Sequence, residues 1–415
     1  MESSIKKRNN CRLCNGGLEK MFSLAPTPPG DKYLPEKDFV KKEAKYPLNI
    51  VSCNKCGLLQ LEHTVNPKIL YRDYIYLTSN SLGLVEHFKK YAETSLEEID
   101  IPEQSLVIDI GCNDGTLLNH FKTLGMKPLG IEPAKKCAEI TRGKGIPVIE
   151  DFLNRDVVQK VSQEYGKAKI ITANNVFANI DNLGETIRNI KDMLSPTGVF
   201  IFETGYMPDA IANNIFDNLY HEHLSYFSVG PLKSFFESED MEIFDIKHLP
   251  TKGGSIRGMV QFKGEEKKIS DSVKYQLDFE ENMKIRDKKT FKGFYERIKK
   301  EGEEIKRTIK EIKSKGKIVA GYGASVGVTT MLYEWDMGGL IDFLIDDNQM
   351  RHNLLSPGLG LRVYPPTSLK EKKPEAVCIF AWRYSDPIIN KNKEYIKEGG
   401  RFIVPFSNSD ITKTY

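Results

Sequence analysis

Residues 216–228 read FDNLYHEHLSYFS and hold two of the chain's seven histidines, His221 and His223, on either side of Glu222. Imidazole has its ordinary pKa near neutral pH, so it suits a proton-abstracting base, and a neighbouring carboxylate can orient it or hold a sugar hydroxyl. The aromatic neighbours Phe216, Tyr220, Tyr226 and Phe227 would keep such a site partly dry. In a turn or helix the two imidazoles cannot face the same way, so His223 is expected to be the base and His221 to support it. The plainer reading makes both hydrogen-bonded core residues. A metal reading is weak, because two histidines two apart lack a third nearby ligand.

Cysteine chemistry is separate. CRLC at 11–14 and CNKC at 53–56 offer Cys11, Cys14, Cys53 and Cys56 at the spacing that lets two turns close one tetrahedral zinc site. The 38 residues between the pairs must form a hairpin and a loop. Four thiolates leave no open position for water, so the expected role is structural.

A third group could hold a nucleotide. VIDIGCNDGTLL at 107–118 carries Asp109, Gly111, Asn113 and Gly115 in a strand–loop–helix pattern, D-x-G-x-x-x-G. Small residues let backbone approach a ligand, and a helix N-terminus favours a carboxylate such as that of S-adenosylmethionine. Glu132, followed by Pro133, ends the next strand and is placed to accept from ribose hydroxyls. Asp151 and Phe152 follow a third strand where adenine should lie, and Asn174 follows a fourth. A nicotinamide cofactor is disfavoured by the Asp-x-Gly opening. A second glycine loop, GYGASVG at 321–327, has the spacing G-x-G-x-x-x-G instead of a dinucleotide fingerprint. With Tyr322 in the loop, Asp346 and Asp347 ending the next strand and Arg383 in AWRYSD as a candidate phosphate partner, the region taken alone still allows a dinucleotide site.

These groups need scaffolds. From Ser105 onward strands alternate with amphipathic helices, which predicts a parallel, doubly wound sheet, and a second alternating region begins at KIVAGYGA. Between them, Phe294, Ile298, Ile305, Ile309 and Ile312 keep a helical period through a charged stretch. The expected α/β architecture is a zinc-binding domain (1–70), a Rossmann-like methyltransferase domain (71–263), and a linking helix with a C-terminal Rossmann-like domain (264–415). Sixty basic residues against 57 acidic ones give a net charge of +3, too small to suggest a nucleic-acid partner. Without a membrane-length apolar run or a signal-peptide pattern, a cytoplasmic protein is expected, as a monomer or weak homodimer.

Taken together, the four cysteines, ANNVFAN at 173–179, YHEHLSYFS at 220–228 and KGGSIR at 252–257 resemble the sugar C-methyltransferases that act on nucleotide-linked 4-keto-deoxysugars. The likeness spans nearly the whole chain. It implies that Tyr220, Glu222 and His223 line an active site between the two large domains, with Tyr76 reaching in. It also implies a substrate site including Lys252, Ser255 and Arg257, and a C-terminal domain that holds the substrate's nucleotide and not NAD. Asn179 and Lys252 stand where that family usually has histidines. Methylating carbon requires an enolate, hence a base near the proton and a donor facing the oxygen, for which Tyr220, Asn179 and Lys252 are candidates. The alternatives are methylation of oxygen or nitrogen on a related nucleotide sugar, or a non-catalytic relative that kept the fold.

Overall fold

The computed structural model describes residues 4–40, 43–71, 77–81, 83–406 and 413–414. Its central sheet comprises β1 (Leu106–Ile110), β2 (Lys127–Ile131), β3 (Val148–Ile149), β4 (Ala168–Asn174), β5 (Leu194–Gly205), β6 (Met241–Leu249) and β7 (Ser255–Phe262). The spatial order is β6-β7-β5-β4-β1-β2-β3, with β7 alone antiparallel to its neighbours. Both faces are covered, so the strands are apolar almost throughout and alternate between two cores. Ile108, Ile171, Phe200 and Phe202 enter one, while Val107, Ile170, Val199 and Ile201 enter the other. Strand order reverses between β1 and β4, which opens a crevice beyond their carboxyl ends.

Helix Leu84–Ile99 covers one face through Leu84, Phe88, Tyr91, Ala92, Ser95 and Ile99, spaced three or four apart. Val85, one of the apolar residues that suggest the helix in sequence, is 41% exposed, because the buried stripe starts at Leu84.

The N-terminal sheet pairs Leu18–Thr27, Tyr46–Cys53 and Leu59–Leu61, and gains a fourth strand, Ser225–Tyr226, from the histidine-bearing segment. Helix Lys288–Lys313 buries Phe291, Phe294, Ile298, Ile305, Ile309 and Ile312. Phe294 meets Phe22 of the N-terminal sheet, and the Ile298 carbonyl accepts from Trp335 Nε1 at 3.1 Å. This helix is a shared wall, and its apolar face belongs to a core reaching from Phe22 to Leu344. The C-terminal sheet runs Val363–Tyr364, Phe343–Ile345, Val319–Tyr322, Ala376–Ile379, Arg401–Val404, Lys413–Thr414, all parallel but the last. That is the order of a dinucleotide-binding sheet. Among the described residues no helix is long and apolar enough to cross a membrane.

The four cysteines converge as their spacing implies. All are free, and their sulfurs lie within 4.8 Å of one another. The closest pairs, Cys11–Cys56 at 3.6 Å and Cys14–Cys53 at 3.4 Å, approach the ~3.8 Å edge of a tetrahedron with 2.3 Å metal–sulfur bonds. Backbone N–H groups of Leu13, Lys55 and Cys56 point at the sulfurs, as thiolate ligands require. The donor set therefore fits zinc, held between the turn that opens the chain and the turn after Tyr46–Cys53.

Because Ser225–Tyr226 is hydrogen-bonded to this domain, metal loss should be felt as loss of stability. Replacing Cys53 with Ser is expected to remove zinc measured by atomic emission, from one per chain to none. It should also lower the calorimetric midpoint by several degrees. A zinc-free variant with an unchanged midpoint would contradict the structural role.

Candidate active site

The crevice is lined by the ends of β1, β2 and β4. Gly115 closes the loop at φ 71°, and a Cβ there would lie 2.6 Å from Thr141 Cγ2, so no larger residue fits without displacement. Helix Thr116–Thr123 starts directly after it, turning its free N–H groups to the crevice. Glu132 is buried and accepts from the N–H groups of Asn113 and Ala134, each at 2.8 Å, while burial raises its pKa. Asp109 accepts from Thr172 Oγ1 at 2.6 Å and ties β1 to β4, and burial pushes its carboxyl up to about 7. Pro133 follows Glu132. Asp151 caps its own turn by accepting from the Phe152 N–H, and Phe152 is left 53% exposed at the crevice mouth. The Asn174 carboxamide, at the end of β4, is buried with neither polar atom hydrogen-bonded. Residues 77–81 cover the loop, since Thr78 N donates to Asn113 Oδ1 and Ser79 N to Asp114 Oδ2, both at 2.9 Å. Buried acid, glycine cradle, open aromatic face and orphaned amide together fit S-adenosylmethionine.

The segment 216–228 runs past this crevice as a turn. His223 N bonds Tyr220 O at 3.0 Å, and the chain then enters strand Ser225–Tyr226. His223 Nδ1 donates to the Asn218 carbonyl at 2.9 Å, which fixes the neutral tautomer with its lone pair on Nε2. That lone pair accepts from Tyr220 OH at 3.0 Å. Burial, with Lys252 and Arg383 nearby, lowers His223 to about 4, well below the near-neutral value expected of the base. His221 faces the other way and bonds the Tyr46 carbonyl at 3.1 Å. Glu222 orients neither histidine. It is buried beside Asp31 and Arg351, and burial raises its carboxyl to about 8. The orienting group is instead a backbone carbonyl, which the residue types in HEH do not disclose.

Asn179 lies on the adjoining turn, its Oδ1 buried without a partner, and Ala178 O accepts from Leu224 N. Lys252 sits in a left-handed turn, open to solvent yet surrounded by protein below. Desolvation lowers its amine to about 8 against the pull of Glu203. Tyr76 lies outside the described residues.

Other sequence candidates have internal partners. Ser255 Oγ donates to Thr251 O at 2.9 Å. Arg257 stacks on Tyr91 and donates to Glu203 at 2.8 and 3.1 Å. Tyr322 donates to Asp347 at 2.8 Å from within the C-terminal core. Arg383 grips Asp217 through two 2.8 Å bonds and reaches Lys252 O at 3.1 Å, so its guanidinium fastens domains together. Sequence reasoning missed Glu203 and His87. Glu203 ends β5, is 1% exposed, and binds His87 Nε2 at 2.8 Å beside Arg257. An acid closing the apolar run GVFIFET was its signal; His87 had none.

The C-terminal glycine loop takes its anion from the protein itself. A Cβ on Gly327 would lie 2.6 Å from Asp217 O and 3.0 Å from its carboxylate, and Gly30 packs on Val326. The start of helix Val326–Glu334, where a dinucleotide phosphate would rest, is thereby filled.

Comparison with known proteins agrees with this anatomy. Residues 11–71 match a zinc binding domain, residues 85–244 a methyltransferase domain, and residues 250–407 the C-methyltransferase C-terminal domain. The chain is 28% identical over 407 residues to C-methyltransferase NovU of Streptomyces niveus, covering 98% of this chain and 97% of that one. Similar solved structures include an S-adenosylmethionine-dependent methyltransferase from Clostridium acetobutylicum (12% identity, 48% of this chain, 96% of that chain, TM-score 0.35). Another is the CcbJ methyltransferase from Streptomyces caelestis (12%, 47%, 95%, 0.36). The protein is an S-adenosylmethionine-dependent methyltransferase carrying a zinc-binding domain. Its C-terminal part matches the C-methyltransferase C-terminal domain.

Glu132→Ala removes a buried charge that two backbone donors already hold in place. Calorimetry should show S-adenosylmethionine binding weakened about 10- to 100-fold, the scale of losing charge-assisted hydrogen bonds, with zinc content unchanged. Equal affinity would move the ribose elsewhere.

Proposed function

We propose that the enzyme methylates a carbon beside the ketone of a nucleotide-linked 4-keto-deoxysugar, with His223 as the base. The observation that carries this is the His223–Tyr220 pair, an imidazole of fixed tautomer whose Nε2 lone pair accepts from a phenol at 3.0 Å. When the acceptor enters, Tyr220 OH turns from Nε2 to the carbonyl oxygen. Nε2 then takes the proton from the adjacent carbon, and the C–H electron pair spreads onto oxygen as an enolate. Lys252, a cation near enough to act on His223, supplies the second donor toward that oxygen. The bound cofactor supplies an electrophilic methyl group. Aromatic packing of Phe227 on Phe177, ring centroids 5.3 Å apart, shields the back of the segment from water. Support for carbon as the acceptor comes from NovU's description as a C-methyltransferase and from the match of the C-terminal domain.

A base works only when neutral, so a pKa of about 4 leaves His223 competent well below pH 7. The acid limb of kcat/KM, a free-enzyme property, should therefore fall near pH 4–5 and not near 6.5, provided zinc and fold persist. His223→Ala should lower kcat about 100- to 10,000-fold, the usual contribution of a general base, with cofactor affinity retained. In deuterium oxide without cofactor, wild type should exchange the proton alpha to the ketone and the variant should not. Undiminished exchange in His223→Ala would give the role to another group. Methylation of oxygen or nitrogen without exchange would replace the reading with the heteroatom alternative.

A further inference from the structure

Helix Leu84–Ile99 meets the central sheet through more than its apolar stripe. His87 and Tyr91 lie one turn apart on it, and both touch a buried ion pair. Glu203 of β5 stands in register with Asn174 of β4 on one side and Arg257 of β7 on the other. It accepts from Arg257 Nε at 3.1 Å and Nη2 at 2.8 Å, while the Arg257 guanidinium lies 3.6 Å from the centre of the Tyr91 ring. His87 Nε2 is 2.8 and 3.0 Å from the two Glu203 oxygens. Burial would raise this carboxyl, but His87 and Arg257 hold it below the usual range. An ionised carboxylate only accepts, so Nε2 carries the proton and donates. Two side chains from the helix and two from the sheet thus close a ring.

A buried ion pair stabilises little more than apolar groups of the same volume would, so its use lies in what it fixes. What it fixes comes just before the helix. Gly83, the N-cap, has no side chain to hold the first turn, and His87 ties that turn to the sheet instead. His87 N bonds Gly83 O at 3.0 Å and Leu84 N bonds Ser81 O at 3.1 Å, which joins the turn to segment 77–81. That segment gives Thr78 N to Asn113 and Ser79 N to Asp114 in the cofactor loop. Asn113 N in turn donates to Glu132, the acid placed for the ribose. A run of hydrogen bonds therefore leads from Glu203 through His87 to the cofactor loop.

We propose that His87 and Glu203 are positioning residues for the methyl donor. Their bond fixes the first turn of the helix and so holds segment 77–81 over the S-adenosylmethionine loop. Neither has to touch the cofactor. The inference depends on the methyl donor alone and not on the identity of the acceptor.

The probe is S-adenosylhomocysteine, titrated calorimetrically into the full-length, zinc-loaded protein. His87→Gln puts an amide N–H where Nε2–H stands and should keep wild-type affinity within about threefold. His87→Asn has the same amide but falls short of Glu203, and His87→Leu has bulk without a donor. Each of these two should weaken binding about 10-fold or more, the scale of a lost charge-assisted hydrogen bond, with zinc content unchanged. Amide exchange of residues 77–81, followed by mass spectrometry, should quicken in both and not in His87→Gln. A histidine that only stabilised the helix would lower the thermal midpoint without separating Gln from Asn in affinity. Wild-type affinity in His87→Asn, or equal losses in Gln and Asn, overturns the proposal. Weakened binding with unchanged exchange at 77–81 overturns it as well. If His87→Leu fails to fold, the comparison of Gln with Asn still decides the matter.

Discussion

Two parallel hydrogen bonds from Arg383 to Asp217 fasten the C-terminal domain to the segment on which His223 is carried. Asp217 also lies against Gly327 at the start of helix Val326–Glu334, so one carboxylate answers a guanidinium and a helix N-terminus together. From that anchor successive residues are committed to different partners. Leu219 O accepts from Thr330, His221 reaches Tyr46 O, Leu224 bridges Ala178 and Leu61, and Ser225–Tyr226 joins the N-terminal sheet. No single domain could hold the turn in this shape. A thirteen-residue stretch is fixed because three bodies hold it at once, and the His223 imidazole is rigid for that reason.

Charge inside this seam is arranged in pairs with unequal solvation. Asp217 and Glu203 are 5% and 1% exposed in their side chains, and each meets an arginine. Removing one partner of such a buried pair typically costs 3–5 kcal/mol, because the other charge is left in low dielectric. Lys252 and His223 lack a close counter-ion, and their pKa values fall instead. The same dryness that makes ion pairs costly to break keeps the imidazole neutral. The histidine is thus a weaker base than free imidazole. In the proposed mechanism the compensation lies in donors aimed at the oxygen, where charge accumulates, so the equilibrium of proton removal would depend on Tyr220 and Lys252 as much as on His223.

Local chemistry was legible in the chain and long-range pairing was not. CxxC spacing predicts the metal site because each turn needs only its own few residues. The strand–loop–helix of 107–118 predicts the crevice for the same reason, and Glu132 follows from the register of one βα unit. Helix Lys288–Lys313 was evident from its isoleucines. Strand Ser225–Tyr226 was hidden, since its partner, Leu59–Leu61, is far away in sequence. Glu222 looks like an orienter in sequence because side chains are visible there, whereas the His223 ring is held by the carbonyl of Asn218. Arg383 looks like a phosphate ligand because nothing local reveals Asp217, 166 residues distant.

The C-terminal domain shows what this economy permits. Its strand order is that of a dinucleotide-binding sheet, and Asp346 ends its second strand at the position where such folds hold a ribose. Yet Asp346 accepts from the N–H groups of Ala324 and Asn348, and Asp217 fills the helix start. Asp346 is thus held as Glu132 is, and the helix start, unlike that of Thr116–Thr123, is occupied by protein. A carboxylate supplied by another domain lies against the helix start and binds Arg383, and it is covalently tethered, so no diffusing ligand is needed to hold the domains together. The phosphate-binding end of the sheet has become the joint that presents the histidine segment to the methyl-donor crevice.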